Sequence, residues 1–193
     1  MDMDTTRTKD GYEKILSAFS NREADILIGT QMIVKGHDFP NVTLVGVLAA
    51  DMSLYAGDYR AAERTFELLT QAAGRAGRGK RAGEVVIQTY TPQHYSIAAA
   101  AAQNYEQFYE EEIAFRSIMD YPPVCNMLMV TLSSKNEEQL LAACTFLKEV
   151  IPEWKKEQVR ITGPVAAGVY KRNDYYNQVV YLSLIHISEP TRH

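Results

Sequence analysis

Residues 58–90 read DYRAAERTFELLTQAAGRAGRGKRAGEVVIQTY. Asp58 can cap a helix running to about Ala73, with Ala62, Phe66 and Leu69 at i, i+4 and i+7 on one apolar face. A glycine-rich turn follows, and Glu84 to Tyr90 has the β-branched content of a strand. Upstream, TLVGVLAA at Thr43 to Ala50 is an apolar run closed by Asp51, and Asp25 to Thr30 is a shorter one ending in Gly29-Thr30. Both have the composition of buried parallel strands. Tyr12, Ile15, Leu16 and Phe19 fall at i, i+3, i+4 and i+7, so a first helix is expected from about Gly11 to Ser20, with Asp10 and Glu13 as a capping pair. Strands alternating with helices predict an α/β architecture with a parallel sheet.

Beyond Pro92 the pattern changes. An alanine run, Ala98 to Ala102, leads into a helix with Tyr105, Phe108, Tyr109 and Ile113 inward, ending before Tyr121-Pro122-Pro123. The double proline marks a domain boundary. After it, Asn126 to Ser133 suits a strand and Glu137 to Ile151 a helix with Leu140, Leu141, Cys144, Leu147 and Ile151 aligned. Val159 to Thr162 and Gln178 to Leu184 suit two more strands, giving a small α+β module. The expected organisation is therefore 1–92, a connecting helix and boundary over 93–123, a second domain over 124–183, and a polar tail over 184–193. The tail (LIHISEPTRH) has no packing logic and reads as non-native sequence.

The chain has 193 residues, 46% hydrophobic and 23% charged, which suffices for a substantial core. No apolar run is long enough to span a bilayer and no secretory leader is visible, so a soluble intracellular, cytoplasmic protein is the expectation. Cys125 and Cys144 cannot build a disulfide framework or a four-cysteine zinc site and read as core residues. A net charge of −4 means that nucleic-acid contact must come from a local basic patch.

The strongest such patch is QAAGRAGR at Gln71 to Arg78, continuing through Gly79, Lys80 and Arg81 to Gly83: four basic residues and no acid. Glycines permit tight turning, and guanidinium forks bind phosphate oxygens bidentately. A second loop, GTQMIVKGHDFP at Gly29 to Pro40, follows the first expected strand, at a carboxyl end where open α/β sheets place ligands, so two phosphate-suited loops would face one crevice. Together with the strand ending at Asp51 and the segment DYRAAER at Asp58 to Arg64, these elements resemble motifs V and VI of superfamily 2 helicases. The match is closest to the PriA (primosomal protein N′) family of replication-restart helicases. The spaced patterns G-T-Q-M, K-G-x-D-F-P, D-[FY]-R-A-x-E-R and Q-x-x-G-R-A-G-R all stand here in order.

The resemblance implies a partial RecA-like helicase lobe followed by a small α+β C-terminal domain. It implies that Arg78 is an arginine finger reaching the γ-phosphate, that Arg75 is a second phosphate contact, and that Gln71 couples the helix to the nucleotide. Gly36 and Asp38 would lie at the ATP site, Asp38 facing the ribose or the arginines, while Thr30 and Gln31 would touch the DNA backbone. Thr30 also suits a simple strand-end cap, and Lys35 either a phosphate contact or a solvated loop. His37 has no second histidine nearby in sequence and is given no catalytic role. Arg60, Glu63 and Arg64 have the spacing of exposed helical ion pairs. In the second domain, Tyr170, Lys171, Arg172, Tyr175 and Tyr176 interleave aromatic and basic side chains, suited either to stacking bases and following phosphates or to ordinary sheet packing.

The chain holds no GxxxxGK[ST] phosphate loop and no DExx box. It reads as a C-terminal fragment of an ATP-dependent 3′ to 5′ DNA helicase, unable to hydrolyse ATP unaided and truncated within its own lobe. ATP and Mg²⁺ would be bound mostly by a missing lobe, and the family's zinc ligands are not in this chain. Forked and single-stranded DNA, single-stranded-DNA-binding protein and other primosome proteins are the partners the family implies, in the bacterial cytoplasm near the nucleoid. Two other readings remain: a different superfamily 2 translocase, or a stand-alone nucleic-acid-binding module.

Overall fold

In a computed structural model, residues 9–30, 39–79, 81–150 and 159–184 are described. The chain divides into two compact units, Met1–Glu112 and Ile113–His193, and the division falls inside the 93–123 segment. Gln31, Lys35, Gly36, His37 and Asp38 lie outside the described residues, as do 185–193, nearly all of the expected tail.

The first described element of the first unit is α1 (Lys9–Ser20), whose range includes Asp10. Leu16 is buried, with Tyr12, Ile15 and Phe19 half-buried along the same face, as the i, i+3, i+4, i+7 spacing requires. Strand β1 (Leu44–Val47) pairs in parallel with β2 (Glu84–Ile87), Leu44 opposite Glu84 and Val47 opposite Ile87. Between them a short 3₁₀ turn (Ala50–Ser53) leads to α2 (Ala61–Ala73), so the two strands are joined by a helical crossover. Both strands are shorter than their apolar runs. Residues 25–30 are not assigned as a strand, and Ile26 and Ile28 are exposed.

Helix α2 buries Ala61, Thr65, Phe66, Leu69, Ala72 and Ala73 and leaves Arg64, Glu67 and Gln71 outside. The core of this unit gathers Ala50, Phe66, Leu69, Ile97, Ala99, Ala100 and Phe108, with the Phe66 and Phe108 rings stacked at 4.2 Å between centroids. The expected single helix after Pro92 is two: α3 (Tyr95–Ala101) and α4 (Tyr105–Met119). Gln103 takes φ 51° and the Asn104 side chain accepts the Gln107 N–H at 3.1 Å, an N-cap that starts a new helix. The restart rotates the inward face. Phe108, Glu112 and Arg116 are buried, whereas Tyr105 and Tyr109 are exposed.

In the second unit β5 (Tyr175–Leu184) is the centre of an antiparallel sheet, flanked by β3 (Asn126–Ser134) and β4 (Val159–Arg172). Helix α5 (Glu137–Val150) packs on one face, burying Leu140 and Cys144 against Val180, with Leu132, Leu147, Ile161 and Tyr176 around them. Leu141 is exposed, and Ile151 lies outside the described residues. The β4–β5 hairpin is longer than expected. Register shifts between Thr162 and Val165 and between Ala166 and Lys171 carry β4 past Gly163-Pro164, and Asn173 and Asp174, both at positive φ, close the turn. Cys125 and Cys144 are both buried core thiols whose pKa values are raised, chiefly by that burial.

Candidate nucleotide and nucleic-acid interface

The arginine segment is built at the carboxyl end of α2. The Gly74 N–H continues the helical ladder to the Thr70 carbonyl at 3.0 Å, and the Arg75 N–H closes a tighter turn on Ala72 at 3.0 Å. Gly77, at φ 72°, then leaves the helix and donates its N–H to the Val42 carbonyl at 3.1 Å. A Cβ built on Gly79 would lie 2.1 Å from the Pro40 carbonyl oxygen. The glycines are therefore needed for close backbone approach as well as for turning.

These contacts position the segment. Residues 74–83 return the chain from α2 to the start of β2, and Pro40 and Val42 precede β1. The arginine segment and the end of the Gly29–Pro40 loop thus meet, but at the amino ends of β1 and β2. The expected carboxyl-end placement rested on a strand at 25–30 that is not assigned. The crossover itself dictates the observed place, because a helix joining two parallel strands must deliver its carboxyl end to the amino end of the second.

Gln71 and Arg78 are exposed and Arg75 is half-buried. The Arg78 Nε donates to the Gly74 carbonyl at 2.7 Å, so its guanidinium rests on the electronegative end of α2, a stabilising place for a cation. Amide and guanidinium N–H groups of these three side chains suit phosphate oxygens; the carboxylate chemistry that holds magnesium is not among them. Thr30 is exposed in a bend. Among the described residues no group of three His, Cys, Asp or Glu side chains could hold a metal ion.

DYRAAER has a specific local architecture. The Asp58 Oδ1 accepts the Arg60 N–H at 3.0 Å at the entry to α2, and its Oδ2 pairs with the Arg64 guanidinium at 2.8 Å, with Arg60 Nε at 3.8 Å from Oδ1. Asp58, three residues before the helix, thus engages both arginines of the segment.

Sequence reading gave Asp51 no role beyond ending an apolar run. It is buried, and its carboxylate accepts the Thr89 hydroxyl at 2.5 Å, the Thr91 hydroxyl at 2.5 Å, the Tyr90 N–H at 2.8 Å and the Thr91 N–H at 3.2 Å. The Thr89 hydroxyl first, then the Thr91 hydroxyl and the Tyr90 N–H, hold its pKa well below the usual carboxylate range, against the opposing effect of burial. The only sequence signal was an acid at the end of an apolar run with a threonine pair after the next one.

At the tip of the β4–β5 hairpin the aromatic and basic side chains sort into two groups. Tyr170 and Tyr176 meet edge to face at 5.6 Å, Tyr170 donates its hydroxyl to the Glu137 carboxylate, and the Lys171 ammonium lies 4.7 Å from the Tyr176 ring centre. Hydrogen bonding to Glu137 pushes the Tyr170 pKa up. Tyr175 is exposed, with the Lys135 ammonium 5.4 Å from its ring centre, and Arg172 is exposed beside it. Lys135, from the β3–α5 connection, is a member the sequence reading missed, since it stands 40 residues from Tyr175 in the chain.

Comparison with known proteins agrees with this two-part architecture. The helicase conserved C-terminal domain family matches residues 2–80, and the primosomal protein N C-terminal domain family matches residues 117–191. Replication restart protein PriA of Bacillus subtilis (strain 168) is 51% identical over 180 residues, covering 91% of this chain and 22% of that protein. The protein of the same name from Synechocystis is 40% identical over 192 residues, 98% of this chain and 23% of its own length. That of Borreliella burgdorferi is 40% identical over 170 residues, 87% and 26%. The chain thus spans about a quarter of the length of the curated relatives it matches. With a helicase C-terminal domain and a primosomal C-terminal domain matched in that order, the chain belongs with the PriA family of replication restart proteins.

Proposed function

We propose that this chain is the arginine-bearing C-terminal fragment of an ATP-dependent 3′ to 5′ DNA helicase that acts in replication restart at stalled forks. The observation that carries the reading is the Gln71–Arg78 segment, held at the end of α2 by Gly77 on Val42 and Gly79 on Pro40, with Gln71 and Arg78 exposed. Bound ATP with Mg²⁺ supplies a terminal phosphoryl group whose oxygens gain charge during transfer. Arg78 and Arg75 would neutralise that charge, Arg78 exchanging the Gly74 carbonyl for a phosphate oxygen, and Gln71 would orient the nucleotide. The phosphate-holding residues belong outside this sequence, so the chain alone should not turn over ATP. Thr30, Gln31 and Lys35 would follow the DNA backbone, with Gly36 and Asp38 beside the nucleotide. Lys171, Arg172 and Tyr175 at the hairpin tip would add affinity for single-stranded DNA. Single-stranded-DNA-binding protein and other primosome proteins are the expected partners, in the cytoplasm with the nucleoid.

The test is Arg78→Ala in a full-length protein containing this chain. Removal of an arginine finger reduces turnover by about 10³ to 10⁵ in well-studied phosphoryl-transfer enzymes, while nucleotide binding should change far less. Hydrolysis at the parental rate would assign Arg78 to capping α2 and overturn the reading.

A further inference from the structure

The sheet of the second unit is basic although the chain as a whole carries a net charge of −4. Strands β3, β4 and β5 contain no Asp or Glu, and their charged residues are Arg160, Lys171 and Arg172. The acids lie off the strands: Glu137, Glu138 and Glu149 on α5, Asp174 in the hairpin turn, and Asp120 in an ion pair with Arg160. An anionic ligand is therefore favoured on the face of this sheet turned away from α5.

The ladder register identifies that face. Residues directly opposite in an antiparallel pair share a side, and successive residues alternate. Leu132, Tyr176 and Val180 pack with α5, so Tyr175 with Arg172, Asn177 with Ser133, Val179 with Thr131, and Tyr181 with Thr162 belong to the other side. Thr131, Ser133, Thr162 and Arg172 are exposed there. At the hairpin end the Lys135 ammonium lies 5.4 Å from the centre of the exposed Tyr175 ring, and Arg172 stands opposite Tyr175 in the ladder. The frame beneath is tied: the Ser133 hydroxyl donates to Asn177 Oδ1 at 2.6 Å, and Asn177 Nδ2 donates to the Val169 carbonyl at 3.1 Å. Tyr175 is thus an exposed aromatic surface on a fixed support, with two cations at its side.

This arrangement selects single strands. Bases of a duplex are stacked on one another, whereas an unpaired base can lie on a tyrosine ring while cations follow its phosphates. We propose that the face opposite α5 is a track for single-stranded DNA: a base stacks on Tyr175, Lys135 and Arg172 take the flanking phosphates, and the strand continues between Thr131 and Thr162 toward Tyr181. Tyr175 to Tyr181 spans about 20 Å at about 3.3 Å per residue, enough for more than one nucleotide. This rests on the proposed DNA role of the hairpin tip, and adds Lys135 as a DNA-binding residue and the path beyond it.

The experiment measures binding of a fluorescent thymidine oligonucleotide, and of a duplex of equal length, to the full chain by anisotropy across salt concentrations. The variants are Lys135→Ala, Lys135→Arg, Thr131→Glu, Thr162→Glu and Ala142→Glu, beside the Lys171→Ala, Arg172→Ala double variant. Ala142 is exposed on α5, so its variant adds the same charge away from the track. Thermal melts identify the folded variants, and Thr131 and Thr162 lie on different strands, so that either can report for the track. Lys135→Ala should weaken single-strand binding about 2- to 5-fold with a salt slope shallower by about 0.7, and Lys135→Arg should stay near the parent. Thr131→Glu and Thr162→Glu should lose at least as much, and Ala142→Glu should not. Parental binding by Lys135→Ala or by the glutamate variants of the track, an equal loss in Ala142→Glu, or duplex binding as tight as single-strand binding overturns the proposal. If it is overturned while the double variant is impaired, the track fails and the hairpin-tip reading stands. If the double variant also matches the parent, or the parent binds no DNA, that reading fails with it.

Discussion

Gly77 and Gly83 stand back to back: a Cβ on Gly83 would lie 2.2 Å from the Gly77 nitrogen, and a Cβ on Gly77 would lie 2.6 Å from the Gly83 nitrogen. The two ends of the loop that carries Arg78 thus approach each other closely, with the Ala76 Cβ beside them, and leave no room for an added side chain at the neck.

Gly83→Ala should therefore open the loop without touching any arginine. Inserting a methyl group where no neighbour can yield costs about 1 to 3 kcal/mol, and the Gly77 N–H bond to Val42 should be weakened with it. Urea melts of the chain should show a lowered midpoint at unchanged slope, and amide exchange at Gly77 should accelerate. A parental midpoint would mean that the loop has another arrangement available.

Asp51 predicts a pH dependence. Its folded pKa is depressed, so its contribution is fully present above the unfolded carboxylate value of about 3.9 and fades as pH falls from there toward the folded value. Thermal melts of the parent between neutral pH and about pH 3 should lose stability, with part of the loss below pH 4 missing in Asp51→Asn. That variant should also melt below the parent at neutral pH, because an amide cannot accept from two hydroxyls and two N–H groups as a carboxylate does. Superimposable pH profiles would remove Asp51 from the acid response.

The Phe66–Phe108 stack joins α2 to α4 within the first unit. Phe66→Ala should destabilise that unit by about 3 to 5 kcal/mol, the usual cost of an emptied aromatic site. Chemical denaturation followed by far-UV circular dichroism would measure it, and a loss under about 1 kcal/mol would mean that the site collapses around the gap.

At the hairpin tip, charge and stacking separate by salt. A Lys171→Ala, Arg172→Ala double variant should bind single-stranded DNA more weakly, with a log–log salt slope shallower by about 0.7 for each phosphate that is no longer neutralised. Tyr175→Ala should lose about 1 to 3 kcal/mol per stacked base at nearly unchanged slope. Tyr170→Phe, which removes only the hydroxyl bound to Glu137, should leave affinity at the parental level. Parental titration curves for the first two variants would make the tip sheet packing.

Within its own stretch the chain determined a good deal. The apolar face of α2, the strands on either side of it, the α5 core at Leu140 and Cys144, and the placing of Gln71 to Arg78 at a helix end follow from periodicity and glycine chemistry over fewer than about 20 residues. The restart at Asn104 is visible only in the structure, where its side chain accepts the Gln107 N–H.

Tertiary structure decided what depends on distant partners. Residues 25–30 have the composition of a strand but are not assigned as one, and Ile26 and Ile28 are exposed. The arginine segment lies at the amino ends of β1 and β2 because the crossover returns there. Asp51 needed Thr89, Tyr90 and Thr91, 38 to 40 residues away, before its burial made sense. The tyrosines of the hairpin look alike in sequence, and only folding gives Tyr170 to Glu137 and leaves Tyr175 exposed beside Lys135. Local periodicity is written into the backbone geometry of each segment. A buried carboxylate, a close loop neck or an exposed ring is set by which remote atoms arrive next to it, and those pairings exist only once the chain has closed on itself.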